Sequence, residues 1–347
     1  MSGIHQSLRL TLDGDALVAN WHWLAHKGGG AACGAAVKAD GYGLGAREAV
    51  KRLQAAGCRD FFVATWAEAR ALMPWPGDLE LSVLHGVLAD DMAVAVKSPA
   101  RPVLNSAAQV ARWRETGRPC DVMVDTGINR LGLSASEVAG GVLDGLQVET
   151  LMSHLACADE DVASNELQRR AFVELAGRVT AKRRSLANSA GICLGPDYSF
   201  DLTRPGLALY GGVPRPEADG HIRQVARVEA RIVQRRRVER GDGVGYNATF
   251  VADRPHELAI VNLGYADGYL CGFSGTGRAR IGGGFAAVVG RVSMDLTAIC
   301  VDEAPHLMEG DWIELDYDLP SAAAQSGLSQ YELLTILGPR LQRCWNS

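Results

Sequence analysis

Along the first part of the chain, apolar and polar positions recur in a regular order. A short alternating segment, Leu8-Arg-Leu-Thr-Leu12, precedes a helical stretch from about Asp15 to His26. Short apolar runs then end near Lys38, Thr65, His85, Asn105, Asp125, His154, Asn188 and Arg204, and most of the intervals between them carry helical spacing, as in Trp66–Leu72 and Asn165–Leu175. Eight strands alternating with helices predict a (β/α)8 barrel of the TIM type. An open doubly wound sheet has the same periodicity. The count of eight, and the lack of a Gly-x-Gly-x-x-Gly fingerprint after the first strand, favour the barrel.

The rhythm stops at Gly211–Gly220, a stretch rich in turn formers that reads as a linker. Beyond it the segments are short, β-branched and separated by glycine turns: Val225–Val238, Glu257–Asn262, Arg278–Ile281, Ala286–Val292, Leu296–Val301 and Trp312–Leu315. They predict a C-terminal all-β domain of hairpins. The expected division is therefore an N-terminal strand over 1–12, a barrel over 13–220 and a β domain over 221–347.

Composition narrows the field. The 347 residues are 47% hydrophobic and 22% charged, as in a soluble globular protein with a large core. A net charge of −5 argues against a nucleic-acid or anionic-membrane surface. The one basic run, Arg235-Arg-Arg237, reads as a solvated strand or turn. The N-terminus lacks the layout of a signal peptide and no apolar run is long enough to cross a bilayer, so a cytoplasmic protein is expected. Eight cysteines are scattered without a Cys-x-x-Cys pair, which predicts reduced, mostly core thiols and no metal site.

The strand ends carry the candidate chemistry. Lys38 closes a small apolar run and opens a loop with glycine at 41, 43 and 45. There a desolvated amine loses proton affinity and becomes a usable nucleophile or base. Arg130 lies just past the fifth strand, where a guanidinium suits a substrate carboxylate. Ser153-His154 ends the sixth strand, Asn188-Ser189-Ala190 the seventh and Arg204 the eighth. Each has a plainer reading: a solvated lysine, a structural histidine, a simple turn. Together they offer a lysine for covalent attachment, a phosphate pocket and arginines for carboxylate or ring contacts. That set fits an enzyme using pyridoxal 5'-phosphate.

The segment Ala36-Val-Lys-Ala-Asp-Gly-Tyr-Gly-Leu-Gly45 closely resembles the cofactor-lysine motif of the alanine racemase family. The resemblance continues in order through Asp125–Gly132, Ser153–Asp159, Asn188–Ala190, Arg204–Gly211, Gly245–Thr249, Leu263–Gly268, Gly290–Thr297 and Tyr331–Leu334. It implies an isomerase interconverting L- and D-alanine, with Lys38 as the Schiff-base lysine and Tyr265 as the second base. By the same resemblance Tyr42, Ser189 and Tyr331 hold the cofactor phosphate, with Asn188 and Gly206 in the matching motifs. Arg204 faces the pyridine nitrogen, with His154 as its hydrogen-bonded support, and Arg130 engages the substrate carboxylate. Tyr265, Met294 and Asp295 reach the site from the partner of a homodimer, while Asp159 and Arg291 line the substrate entrance. The first strand, in this family, joins the β domain.

One position departs from the family pattern. Many members carry a carbamylated lysine two residues before the Asp-Thr-Gly turn, bracing the carboxylate-binding arginine. Here that residue is Met123, and Asn129 or a bound anion is the expected substitute. Readings left open are a racemase for serine or another small amino acid, a barrel-type decarboxylase, and a non-catalytic cofactor-binding regulator. The decarboxylase is disfavoured by Arg204 and Tyr265, and the regulator by the β domain. The role, biosynthetic or catabolic, is also open.

Overall fold

A computed structural model describes residues 6–75 and 78–346. The chain divides into two compact units, one from Leu17 to Arg223 and the other formed by the N-terminal segment through Ala16 with residues from Gln224 onward.

The first unit is the anticipated barrel. Its first strand runs as Ala32–Cys33 and Ala35–Ala36 on either side of Gly34. Strands follow at Asp60–Val63, Glu80–Val83, Arg101–Leu104, Cys120–Met123, Val148–Met152, Ala181–Ser185 and Leu202–Thr203. Neighbours pair in parallel from Ala35–Ala36 through Ala181–Ser185, and Leu202–Thr203 pairs with Ala32–Cys33. The ring closes where Asp201 N–H and Arg204 N–H donate to the carbonyls of Arg184 and Ala187, at 3.1 and 2.8 Å. Each apolar run is a strand because both of its faces are covered, as parallel sheets require. Phe61, Val83, Leu104, Val122 and Leu151 are fully or almost fully buried.

The amino ends of the strands are plugged by charge. The fully buried Asp121 accepts from Ser82 Oγ (2.6 Å) and Thr150 N–H (3.0 Å), and Arg183 forks onto Asp60. Burial pushes the Asp121 carboxyl up, opposed by Arg101. With its floor occupied in this way, the barrel is left open to chemistry at the carboxyl ends.

In the second unit, the strands His256–Val261, Thr297–Cys300, Gly284–Val289, Arg278–Ile281, Trp312–Leu315 and Ala226–Val238 lie side by side in that order. The last pairs back onto the first and closes them into a ring. The N-terminal strand Leu8–Asp13 adds to this sheet antiparallel to Ala226–Ala230. Its apolar residues Leu8, Leu10 and Leu12 face inward, as the alternation predicts. Three elements were not anticipated: the helices Leu319–Ser326 and Gln330–Thr335, and the strand Gln342–Asn346 paired parallel to the N-terminal strand.

Candidate active site

Lys38 follows the first barrel strand directly and begins an unusual turn. Ala39, Asp40, Gly41, Tyr42 and Gly43 all have φ between 51° and 83°, a left-handed run containing three non-glycine residues. Such residues pay roughly 1–2 kcal/mol each in this conformation. The turn is held by its own bonds, Gly41 N–H to Val37 O and Gly43 N–H to Ala39 O (both 2.8 Å), and by two carboxylates. Asp40 accepts from Ala46 N–H at 2.8 Å. Glu68 accepts from Ala39 N–H with one oxygen (3.0 Å) and from Ala64 N–H with the other (2.7 Å). Glu68 is itself placed by Thr65, whose hydroxyl caps the helix Trp66–Ala71 by accepting the Glu68 N–H. The left-handed path turns Tyr42 inward, where its ring stacks on Tyr210 at 4.9 Å between centroids.

Around Lys38 the charges are mostly positive. Burial lowers the proton affinity of its amine, the Arg130 guanidinium lowers it further, the Glu68 carboxylate pulls the other way, and Arg204 adds to the lowering. His154 feels the same field. Burial first, then Arg204, Arg130 and Lys38, push its pKa down to about 3, so its imidazole stays neutral at physiological pH. Arg204 is buried. It donates to Ser185 Oγ and to the Ser153 carbonyl, the latter at 2.5 Å, and desolvation pushes its pKa down to about 10.

The expected hydrogen bond between Arg204 and His154 is absent. The guanidinium runs across the ends of the sixth and seventh strands, where the Ser153 carbonyl and Ser185 hydroxyl are the acceptors in reach. The Asn188 side chain caps the short helix Ser189–Cys193 by accepting Gly191 N–H at 2.8 Å. Ser189 Oγ accepts from Gly206 N–H (3.0 Å) and Ala208 N–H (3.2 Å). At Gly206 a Cβ would lie 2.0 Å from Tyr42 Oη, so only glycine admits the tyrosine hydroxyl. The Tyr42 and Ser189 hydroxyls therefore converge beside Gly206, the latter oriented by two backbone N–H groups, a pair of donors suited to phosphate.

Arg130 is exposed and makes no hydrogen bond or ion pair among the described residues. Its loop is shaped by Asp125, whose carboxylate accepts from Gly127 and Ile128 N–H. Asn129 is left-handed (φ 53°) and exposed, with no bond to Arg130, so the amide brace expected in place of the family lysine is not formed. Met123 is buried. Asp159 is exposed on the loop after the sixth strand.

The second unit carries the remaining candidates. Tyr265 opens the 3-10 turn Tyr265–Asp267 and is 38% exposed, beside an apolar recess formed with Leu270, Cys271 and Leu328. Tyr265 N–H and Ala266 N–H donate to the carbonyls of Ser293 and Met294, both at 3.0 Å, which sets Tyr265, Met294 and Asp295 side by side. Arg291 is exposed a few residues earlier, and Tyr331 lies on the helix Gln330–Thr335. Elsewhere in this unit His256 sits between Asp302 (2.8 Å) and Asp253 (3.0 Å), with Cys300 Sγ 3.6 Å away. Bonds to the two aspartates raise the imidazole's proton affinity, and Arg254 pairs with Asp302.

Two positioning residues escaped the sequence reading. Glu68 had a signal, since Thr65-x-x-Glu68 is the capping-box pattern. Arg340, which bridges Asp267 and Asp295, had none.

Comparison with known proteins bears on both units. Residues 12–214 match the family model "Alanine racemase, N-terminal domain" and residues 225–345 match "Alanine racemase, C-terminal domain". The chain is 43% identical to an alanine racemase of Acidiphilium cryptum, over 96% of this chain and 97% of the relative. It is 40% identical to a biosynthetic alanine racemase of Agrobacterium fabrum, over 97% and 93%. Among solved structures, an alanine racemase of Bartonella henselae with covalently bound pyridoxal phosphate superposes with a TM-score of 0.91 at 32% identity, covering 99% of this chain and 100% of that one.

Proposed function

The chain belongs to the alanine racemase family, and on that premise we propose that Lys38 and Tyr265 are the two groups that move the α-proton of alanine. The activity is the interconversion of L- and D-alanine with pyridoxal 5'-phosphate as cofactor. When bound, the cofactor supplies the electron delocalisation that makes the α-proton removable. The chain's own residues do the rest.

Lys38 carries the reading. Desolvation and the two arginines hold its amine below its ordinary proton affinity, so it can attach the cofactor and later accept or return a proton. Tyr42, Ser189 and the N–H groups near Gly206 would hold the phosphate, joined by Tyr331. Arg204 would face the pyridine nitrogen. It stays a cation at neutral pH because even its lowered pKa, about 10, lies well above 7, and a guanidinium holds its proton too tightly to pass it to a pyridine nitrogen. Arg130, with its donors uncommitted, would take the substrate carboxylate in the bidentate manner of a guanidinium. His154 stays neutral between these cations and adds no charge.

A planar carbon must be approached from both faces for racemisation, which one base cannot do. Tyr265 is therefore the second base, with Met294 and Asp295 beside it shaping the substrate's surroundings and Asp159 and Arg291 at the entrance. A homodimer that lends Tyr265, Met294 and Asp295 across its interface is part of this proposal. The exposed apolar side chains Tyr246, Val251, Met294 and Leu296 of the same unit support it. Among the described residues no helix is long and apolar enough to cross a membrane, and a cytoplasmic location is proposed. The test is incubation of the purified, cofactor-loaded protein with single enantiomers of alanine, serine and other small amino acids, followed by chiral analysis. Alanine should approach equal amounts of both enantiomers fastest; faster racemisation of serine, or carbon dioxide release, would overturn the assignment.

A further inference from the structure

Tyr265 is not held by its own side chain. Its ring is partly exposed, and among the described residues its hydroxyl has no hydrogen-bond partner. The phenol stands where the turn beneath it stands, and that turn rests on one buried carboxylate. Asp267 is fully buried. Its side chain accepts Gly264 N–H at 3.0 Å, its N–H returns to the Gly264 carbonyl at 2.9 Å, and its carbonyl accepts Gly338 N–H at 2.9 Å.

The guanidinium of Arg340 supplies the matching cation. Its Nε and Nη2 take both oxygens of Asp267 at 2.6 and 2.9 Å, and its Nη1 takes Asp295 at 2.7 Å. One planar side chain thus joins the Tyr265 turn to the Met294–Asp295 segment. The two segments also touch directly: a Cβ at Gly264 would lie 2.3 Å from the Ser293 carbonyl oxygen and 2.4 Å from that of Met294. Asn262 secures the far side by donating to the Asp295 carbonyl at 3.1 Å.

The geometry points to Arg340 as a positioning residue for proton transfer by Tyr265, acting through Asp267, and as the tie that makes Tyr265, Met294 and Asp295 one rigid presentation. It rests on the reading of Tyr265 as a proton-transferring group. A lysine could neutralise one carboxylate but could not reproduce three bonds from a planar fork. Because no hydrogen bond to its hydroxyl fixes Tyr265 among the described residues, its place follows that of its turn, and a displacement near 1 Å is enough to slow proton transfer about 100-fold.

The test uses the cofactor-loaded holoenzyme with Arg340→Lys and Arg340→Ala, each also combined with Tyr265→Phe. In the otherwise native protein kcat should fall by roughly 10- to 100-fold, far more than KM rises, with cofactor affinity close to wild type. Added guanidinium ion should restore part of the Arg340→Ala loss. On the Tyr265→Phe background, which already lacks the group being positioned, the same Arg340 changes should cost little more. Wild-type kcat in both single variants would overturn the inference. So would a loss that persists undiminished on the Tyr265→Phe background, or one accompanied by an equal loss of cofactor affinity without guanidinium rescue, since either marks a purely structural role. If Tyr265→Phe alone racemises at the wild-type rate, the underlying assignment of Tyr265 has failed instead.

Discussion

Replacing Glu68 by glutamine should loosen the turn that presents Lys38. The carboxylate has two oxygens, and each accepts one backbone N–H, from Ala39 and from Ala64. Glutamine has a single acceptor oxygen, and its NH2 would confront the other N–H. At least one charge-assisted bond is lost, worth about 1.5–3 kcal/mol. Against this stands a left-handed run whose three non-glycine residues, Ala39, Asp40 and Tyr42, cost roughly 3–6 kcal/mol together. The loss is a large fraction of what offsets that strain. At about 2–4 °C per kcal/mol for a unit of this size, the unfolding midpoint should fall by roughly 3–12 °C.

The same substitution has a signature in pH. Glu68 is the carboxylate that raises the proton affinity of Lys38 against burial and the arginines. Without it, Lys38 becomes neutral at lower pH, and cofactor capture by the apoprotein, which requires the neutral amine, should reach its plateau at lower pH than in wild type. Thermal unfolding by circular dichroism and cofactor capture followed by absorbance across a pH series measure the two effects. An unchanged midpoint together with an unshifted capture profile would mean that Glu68 neither holds the turn nor acts on Lys38.

Two further outcomes follow from the barrel unit. Gly206→Ala should weaken cofactor affinity roughly 5- to 150-fold, because the new methyl must displace the Tyr42 hydroxyl and overpacking of this kind costs about 1–3 kcal/mol; equilibrium titration of apoprotein with cofactor reads it, and wild-type affinity would contradict it. Arg204→Glu should raise the ratio of transamination to racemisation by placing an acid where a cation stood, measured as pyruvate formed per D-alanine formed, with an unchanged ratio as the contrary result.

What the sequence showed and what it hid divide along physical lines. Barrel strands were legible because parallel strands are buried on both faces and read as short apolar runs, with Lys38, Arg130, His154 and Arg204 falling just past their ends. The left-handed run after Lys38 was not. Glycines at 41 and 43 hinted at it, but Ala39, Asp40 and Tyr42 adopt it only under tertiary bonds from Glu68 and the stacking of Tyr42 on Tyr210. The helices at Leu319–Ser326 and Gln330–Thr335 did carry signals: proline near the start and Gly327 after the end of one, and a Ser329–Glu332 capping box in the other. Their short length and the β-rich segments around them mask these signals. Arg340 was out of reach, since its partners lie 73 and 45 residues away and nothing local marks an arginine as one end of a staple.

In the proposed dimer, Lys38 of one subunit works with Tyr265 of another. Subunit mixing tests it most directly: Lys38→Ala and Tyr265→Phe proteins, each strongly impaired alone, are dissociated together and reassociated at equal concentration. Hybrid dimers then contain one site with both residues and one with neither, so activity should recover to about one quarter of wild type, since half the dimers are hybrids with half their sites complete. Recovery to that level is the predicted result; no gain after verified subunit exchange would contradict it.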